Sequence, residues 1–347
     1  MSIRSALVPV LAVALAIAVG AVIIALSGSS PVDAYRALIE GSLSDPKSIG
    51  RTLEKATPLV MGGLAVAFAF KAGLFNIGGQ GQLVVGAIIA GAVGYGISDL
   101  PWIIHAPLAL LVGALAGAAW GAIPGVLKAT RGAHEVITTI MLNFVALNLT
   151  DWLASKVWRE PGVIVRTPHI EPSAEIPRWG EVPTGFFLAV VAALACWYLL
   201  RGTTFGFEVQ SVGLNADAAR YAGISVRRIF VTTMAISGML AGLGGAIETN
   251  GIVGRYEPGF NAGLGFEGIT IALLARTHPL GVIPAAILIG AMQAGGSMMQ
   301  FKADVQPEIT KIIQALILVF VATPIIVRWL LNKREADELS VSSTWGS

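Results

Sequence analysis

The chain of 347 residues is 55% hydrophobic and 13% charged, with a formal net charge of +2. Soluble domains carry about 25% charged residues, so a soluble globular protein is excluded, and so small a net charge leaves no footprint for nucleic acid. The one cysteine, Cys196, lies in an apolar run, and His105, His134, His169 and His278 are scattered; neither a disulfide framework nor a metal-ligand spacing results.

From the N-terminus, residues 6–27 form an apolar run after Arg4. A secretory signal core has only about 7–15 apolar residues, whereas ~20 span a bilayer, so this run reads as a retained first span. Further apolar segments follow near 56–73, 83–97, 104–127, 134–154, 185–200, 229–249, 264–276, 279–298 and 309–331. The expected fold is all-α: a polytopic membrane protein of about ten transmembrane helices in a single domain, 1–347. Lys128 with Arg131, and Arg276, mark short hairpins as inner ones. Both termini and segment 202–228 are then cytoplasmic, and the polar segments 29–55 and 155–184 are loops on the outer side.

Two segments, 83–97 and 264–276, are too short to span comfortably and fit half-helices. A glycine- and amide-rich break precedes each, FNIGGQGQ at 75–82 and FNAGLGFE at 260–267. Aligned, the breaks share Phe75/Phe260, Asn76/Asn261 and Gly78/Gly263 and set Gln82 opposite Glu267. One break follows an inward span and the other an outward span, as an inverted repeat of spans 2–5 and 7–10 would produce. Transporters with such repeats build a midplane substrate site from broken helices.

Polar residues inside or beside spans give the pathway candidates: Asn76, Gln80, Gln82, Glu135, Asn143, Glu248, Asn250, Glu267 and Gln293. Glu135, Thr139 and Asn143 recur at helical spacing and form one stripe. A carboxylate in hydrocarbon is costly and faces a bundle interior or a wet cavity. Each residue also has a structural reading, Glu135 as a helix start near the surface and single amides as glue between helices. Within 237–246, Gly238/Gly242 and Ala241/Gly245 form small-residue faces for close helix packing.

Segment 202–228 is a polar island between apolar helices. It contains Arg220, Arg227 and Arg228, with Arg201 at its entrance. Its centre, 216–223, fits one short helix with Asp217 in the first turn and glycine at the end. Such a helix is displayed to a partner through Gly213, Asn215, Asp217, Arg220, Tyr221 and Gly223. The chain has no G-x-x-x-x-G-K-[ST] loop, no H-E-x-x-H and no G-x-S-x-G, so an ATPase or a membrane hydrolase finds no support.

Five stretches carry a resemblance: ATPLVMGGLAVAFAFKAGLFNIGGQGQLVVGA (56–87), AHEVITTIMLNFVALNL (133–149), GLNADAARYAGISVRR (213–228), SGMLAGLGGAIETNG (237–251) and GFEGITIALLARTHPLGVI (265–283). Together they resemble the ABC transporter permeases of the branched-chain amino acid/simple sugar superfamily, in particular the nucleoside branch. The chain departs from that pattern at Gln80, His134 and Thr277-His278-Pro279. The resemblance implies a permease subunit in the bacterial inner membrane, with no cofactor of its own. Its implied partners are an ABC ATPase docked on the island helix, a second permease subunit and an extracytoplasmic substrate-binding protein. The implied solute is a nucleoside; a pentose or a branched-chain amino acid stays open. A secondary transporter fits less well, since it needs an ion site and no docking helix.

Overall fold

The computed structural model describes residues 3–259 and 263–322. Among them are thirteen α-helices: α1 (Ile3–Leu26), α2 (Pro31–Leu43), α3 (Pro46–Lys71), α4 (Gly79–Gly96), α5 (Trp102–Arg131), α6 (Glu135–Trp152), α7 (Thr184–Gly202), α8 (Thr204–Leu214), α9 (Ala216–Tyr221), α10 (Val226–Glu248), α11 (Leu264–Leu274), α12 (Pro279–Ala303) and α13 (Pro307–Ala322). The only strands among the described residues form a short antiparallel hairpin, with Arg178 opposite Pro183.

Each predicted apolar segment lies on a helix, the last as far as Ala322; the remainder of 309–331 lies outside the described residues. Six helices are long and apolar enough to cross a membrane, or seven if the bent α1–α2 pair counts as one span. Among the described residues, then, the expected ten complete spans are not all found. The shortfall falls partly on α4 and α11, which start partway along the bundle.

The expected outer loop at 29–55 is instead helical. Ser30 caps α2 by accepting the Asp33 N–H, and Pro31 occupies the first turn. Asp45 caps α3 by accepting the Ser48 N–H at 2.8 Å, with Pro46 next. That bond holds the Asp45 carboxyl below the usual carboxylate range. Both are the Asx/Ser–Pro start signal. The chain bends 120° between α1 and α2, and α2 lies along α12, with Gly41 and Leu38 against Gly295. The other loop, 155–184, is a folded cover. Its backbone bonds to the ends of α4 and α10, Glu171 N–H to Gly94 O at 2.9 Å and Ile176 N–H to Asn250 O at 2.8 Å.

Two helices occupy the centre. Helices α3 and α10 pack antiparallel, with Met61 beside Gly244 and the Ser237 hydroxyl donating to Ala65 O at 2.6 Å. Each reaches across to the other half of the chain: α10 packs on α4 and α5, and α3 packs on α11 and α12. Units α3–α6 and α10–α13 are thus interlocked, with matching partners in each. The most extensive seam joins α5 to α10. A Cβ on Gly117 would collide with the Gly238 carbonyl, and Gly121 and Gly242 face the same seam. Small residues let the two backbones approach, where dispersion stands in for the missing hydrophobic effect.

Gly117→Leu should therefore lower unfolding stability in detergent by about 1–3 kcal/mol or more, while Gly96→Ala, which meets nothing within 4 Å, should leave the melting temperature unchanged. Equal melting of both variants would contradict this seam.

Candidate functional site

The starts of α4 and α11 meet. Gly78 is the N-cap of α4, and Gly263, at φ +100°, is the N-cap of α11. The Gly265 N–H donates to Gln80 Oε1 at 2.8 Å. A Cβ on Gly265 would collide with the Gln80 backbone, so only glycine permits this approach. From the crossing α11 runs toward the island end, where the turn after it meets Lys71 at the end of α3. Helix α4 runs the other way, to the cover over its far end. The crossing lies beside Gly62 of α3, roughly 14 Å from that helix's end at 1.5 Å per residue, about half the thickness of a bilayer core.

Two helix N-termini at such a depth pose a satisfaction problem. Their first N–H groups have no acceptors in the helix ladder, and hydrocarbon offers none. Asn76 Oδ1 accepts the Gly78 N–H at 2.8 Å, and Asn143 Oδ1 accepts the Gly81 N–H at 2.8 Å. Asn143 also donates to Ile77 O at 2.9 Å, and Asn76 donates to Gln82 Oε1 at 2.9 Å and Ser237 Oγ at 2.7 Å. Asn76, Gln80, Gln82 and Asn143 are all buried. They form a clasp that replaces water around the first break, with their polar atoms turned to the protein. Ser237 belongs to this clasp and was missed; the signal was a hydroxyl at the head of the small-residue stripe.

A second polar group differs in character. Gln293 on α12 donates to Glu267 Oε2 on α11 at 2.6 Å, and both side chains are partly exposed. Phe266 beside them is 43% exposed. Lys55 of α3 and Lys311 of α13, both exposed, lie within electrostatic reach of Glu267. A carboxylate and two ammonium groups on one face of a bundle otherwise clad in apolar side chains are incompatible with lipid. This face of α3, α11, α12 and α13 must meet water or protein. Lys311 could have been read from the sequence as a charge inside segment 309–331; Lys55 was concealed in the presumed loop.

The remaining pathway candidates lie elsewhere. Glu135 pairs with Lys128 at 2.6 Å near the island end, and the Lys128 ammonium also sits 5.4 Å from the Phe230 ring centroid. Thr139 is buried between Glu135 and the clasp, its hydroxyl bonded to the Glu135 carbonyl. Glu248 and Asn250 are buried at the opposite end, where Asn250 Nδ2 donates to Ala174 O of the cover at 3.1 Å. The structure thus divides the nine candidates among a clasp, an open face and the two ends of the bundle.

The island holds two helices, α8 and α9, where the sequence signalled one. Asn215 caps α9, accepting the Asp217 and Ala218 N–H groups. Gly223, at φ +87°, closes it, with the Ile224 N–H returning to Ala219 O at 2.9 Å. Asp217 and Arg220 pair at 3.0 Å in solvent, and Tyr221 is 94% exposed. Gly213 points the other way and lies on the backbone of Lys71–Gly73.

A cysteine replacing Glu267 or Gln293 should react with a membrane-impermeant thiol reagent, whereas one replacing Asn76 or Asn143 should stay inert and destabilise the protein by about 1–3 kcal/mol through the orphaned N–H. Reactivity at 76 and 143 with inertness at 267 and 293 would reverse the division between clasp and open face.

Comparison with known proteins bears on this arrangement. The sequence model of the family described as "Branched-chain amino acid transport system / permease component" matches residues 48–322. The chain is 40% identical to the guanosine ABC transporter permease protein NupP of Bacillus subtilis, over 94% of this chain and 96% of the relative. It is 34% identical to the nucleoside ABC transporter permease protein NupB of Lactococcus lactis, over 97% and 96%. It is 36% identical to a glucose ABC transporter permease protein of Haloferax volcanii, over 91% and 86%. Multiple apolar helices, a crossing of two half-helices and an island helix displayed outside the bundle are thus features of a chain that belongs to the ABC transporter permease family of the branched-chain amino acid type.

Proposed function

We propose that this permease is one of two membrane subunits of an ATP-driven nucleoside importer in the bacterial plasma membrane, with both termini and the island in the cytoplasm. The observation that carries the transport assignment is the partly exposed Glu267–Gln293 pair at the crossing, a polar face at membrane depth that a second permease subunit would close into a pathway. The nucleoside assignment is supported by two of the three relatives above. Chemistry agrees with it. A nucleoside is neutral but rich in N–H and O–H donors, which a carboxylate and an amide oxygen accept, and Phe266 offers an apolar face for the base.

In this reading an ABC ATPase docks on α9 through Tyr221 and Arg220, and nucleotide-driven closure moves the island. A substrate-binding protein delivers solute at the opposite end, onto the cover 155–184. The chain's residues bind, orient and release; they carry out no bond chemistry. A sugar importer is the second reading, favoured by the Haloferax relative.

Two experiments test this. Arg220→Glu with Tyr221→Ala should abolish co-purification with the ATPase and ATP-driven uptake while leaving membrane insertion intact; retained co-purification and uptake would remove α9 from the docking role. In uptake assays guanosine should compete for transport better than ribose. Phe266→Ala should weaken nucleoside uptake by roughly tenfold, the scale of one lost aromatic contact of about 1–1.5 kcal/mol. Competition by ribose or glucose alone would establish the sugar reading.

A further inference from the structure

We infer that the backbone node Lys71–Gly73 is the positioning element through which island movement reaches both half-helices at once. Three segments converge there. Gly213, the penultimate residue of α8, rests on the node: a Cβ at 213 would collide with the Lys71 carbonyl, and one at Gly73 would lie 3.3 Å from the Gly213 carbonyl. The node continues directly into the first break, whose Asn76 holds the start of α4. The third segment is the turn between α11 and α12, tied to the node by Lys71 Nζ donating to Thr277 Oγ1 at 2.9 Å.

Gly73 adopts φ +69°, and the turn places Arg276 and Thr277 at φ +50° and +54°, a conformation strained for residues with side chains. The Thr277 N–H returns to Ala272 O at 2.8 Å, so the turn is locked to the last turn of α11. A displacement of α8 therefore has backbone contact with the node and no side chain to absorb it. From the node it passes forward to the N-terminus of α4 and sideways to the C-terminus of α11. These are the two helices that meet at Gln80 and Gly265. Gly213 thus acts as a transmitter behind the docking surface formed by α9.

The inference rests on the importer reading above, and the test separates the two. The chain is assembled with its ATPase and partner subunits, and a reporter thiol at Phe266→Cys is labelled with and without a non-hydrolysable ATP analogue. In the otherwise native chain the nucleotide should change the labelling rate. In Gly213→Leu and in Lys71→Met the ATPase should still co-purify, but that nucleotide response should fall roughly tenfold. Lys71→Arg, which still donates to Thr277, should restore it. Thr277→Val should match Lys71→Met, and the double variant should fall no further. Lys71→Met alters a side chain only, and so decides the matter even if Gly213→Leu fails to fold. A full nucleotide response in Lys71→Met with the ATPase bound would overturn the node. Absence of ATPase binding or of any response in the otherwise native chain would overturn the importer reading instead.

Discussion

Two helices begin in the middle of this bundle, and their unpaired backbone N–H groups must find acceptors where a bilayer offers none. Much of the surrounding structure answers that requirement. Asn76, Gln80 and Asn143 supply side-chain oxygens to Gly78, Gly265 and Gly81. Ser237 passes the network on to the backbone of α3. Each helix start carries roughly half a positive charge from its aligned peptide dipoles, and the side-chain oxygens at the crossing face it. A substituent on Gly265 would push the two starts apart and break the exchange.

The interlocked packing follows from the same constraint. A half-helix cannot hold its place by spanning, so a full-length neighbour must hold it. Helix α10 holds α4, with the Leu83 carbonyl seated where a Cβ on Gly245 would go, and α3 holds α11 through Gly62 and Gly268. The first helix of each unit thus supports the broken helix of the other. That exchange leaves the outer flank of α11 covered only in part, and there Glu267, Gln293, Lys55 and Lys311 gather. The buried first break and the partly covered flank of α11 thus differ in character, one bonded to its own chain and the other turned outward.

Much of this was legible in the sequence, for physical reasons. Segments 83–97 and 264–276 are too short to span, and the aligned breaks place Gly78 and Gly263 at equivalent positions; both are N-caps. Phe260 and Asn261, the other partners in that alignment, lie outside the described residues. The island helix was visible from Asp217 in its first turn and its terminal glycine; the Asn215 cap emerges only from the structure. The region 29–55 misled because its charges mimic a loop, although Ser30-Pro31 and Asp45-Pro46 announce two helix starts. The amides were harder. A buried Asn that serves a backbone N–H and one that serves a solute have the same sequence signature. Only the position of the break relative to α6 and α10 shows that Asn76 and Asn143 face their own chain. Lys71 and Thr277 lie 206 positions apart, and no local pattern joins them.

In the proposed importer, solute meets the open α11–α12 face and leaves the amide clasp untouched. A structure of the assembled transporter with a bound nucleoside tests it most directly. Solute density is expected against Phe266, Glu267 and Gln293, with Asn76, Gln82 and Asn143 still bonded to one another and to the first break. Solute density inserted among Asn76, Gln82 and Asn143, with those bonds broken, would contradict it.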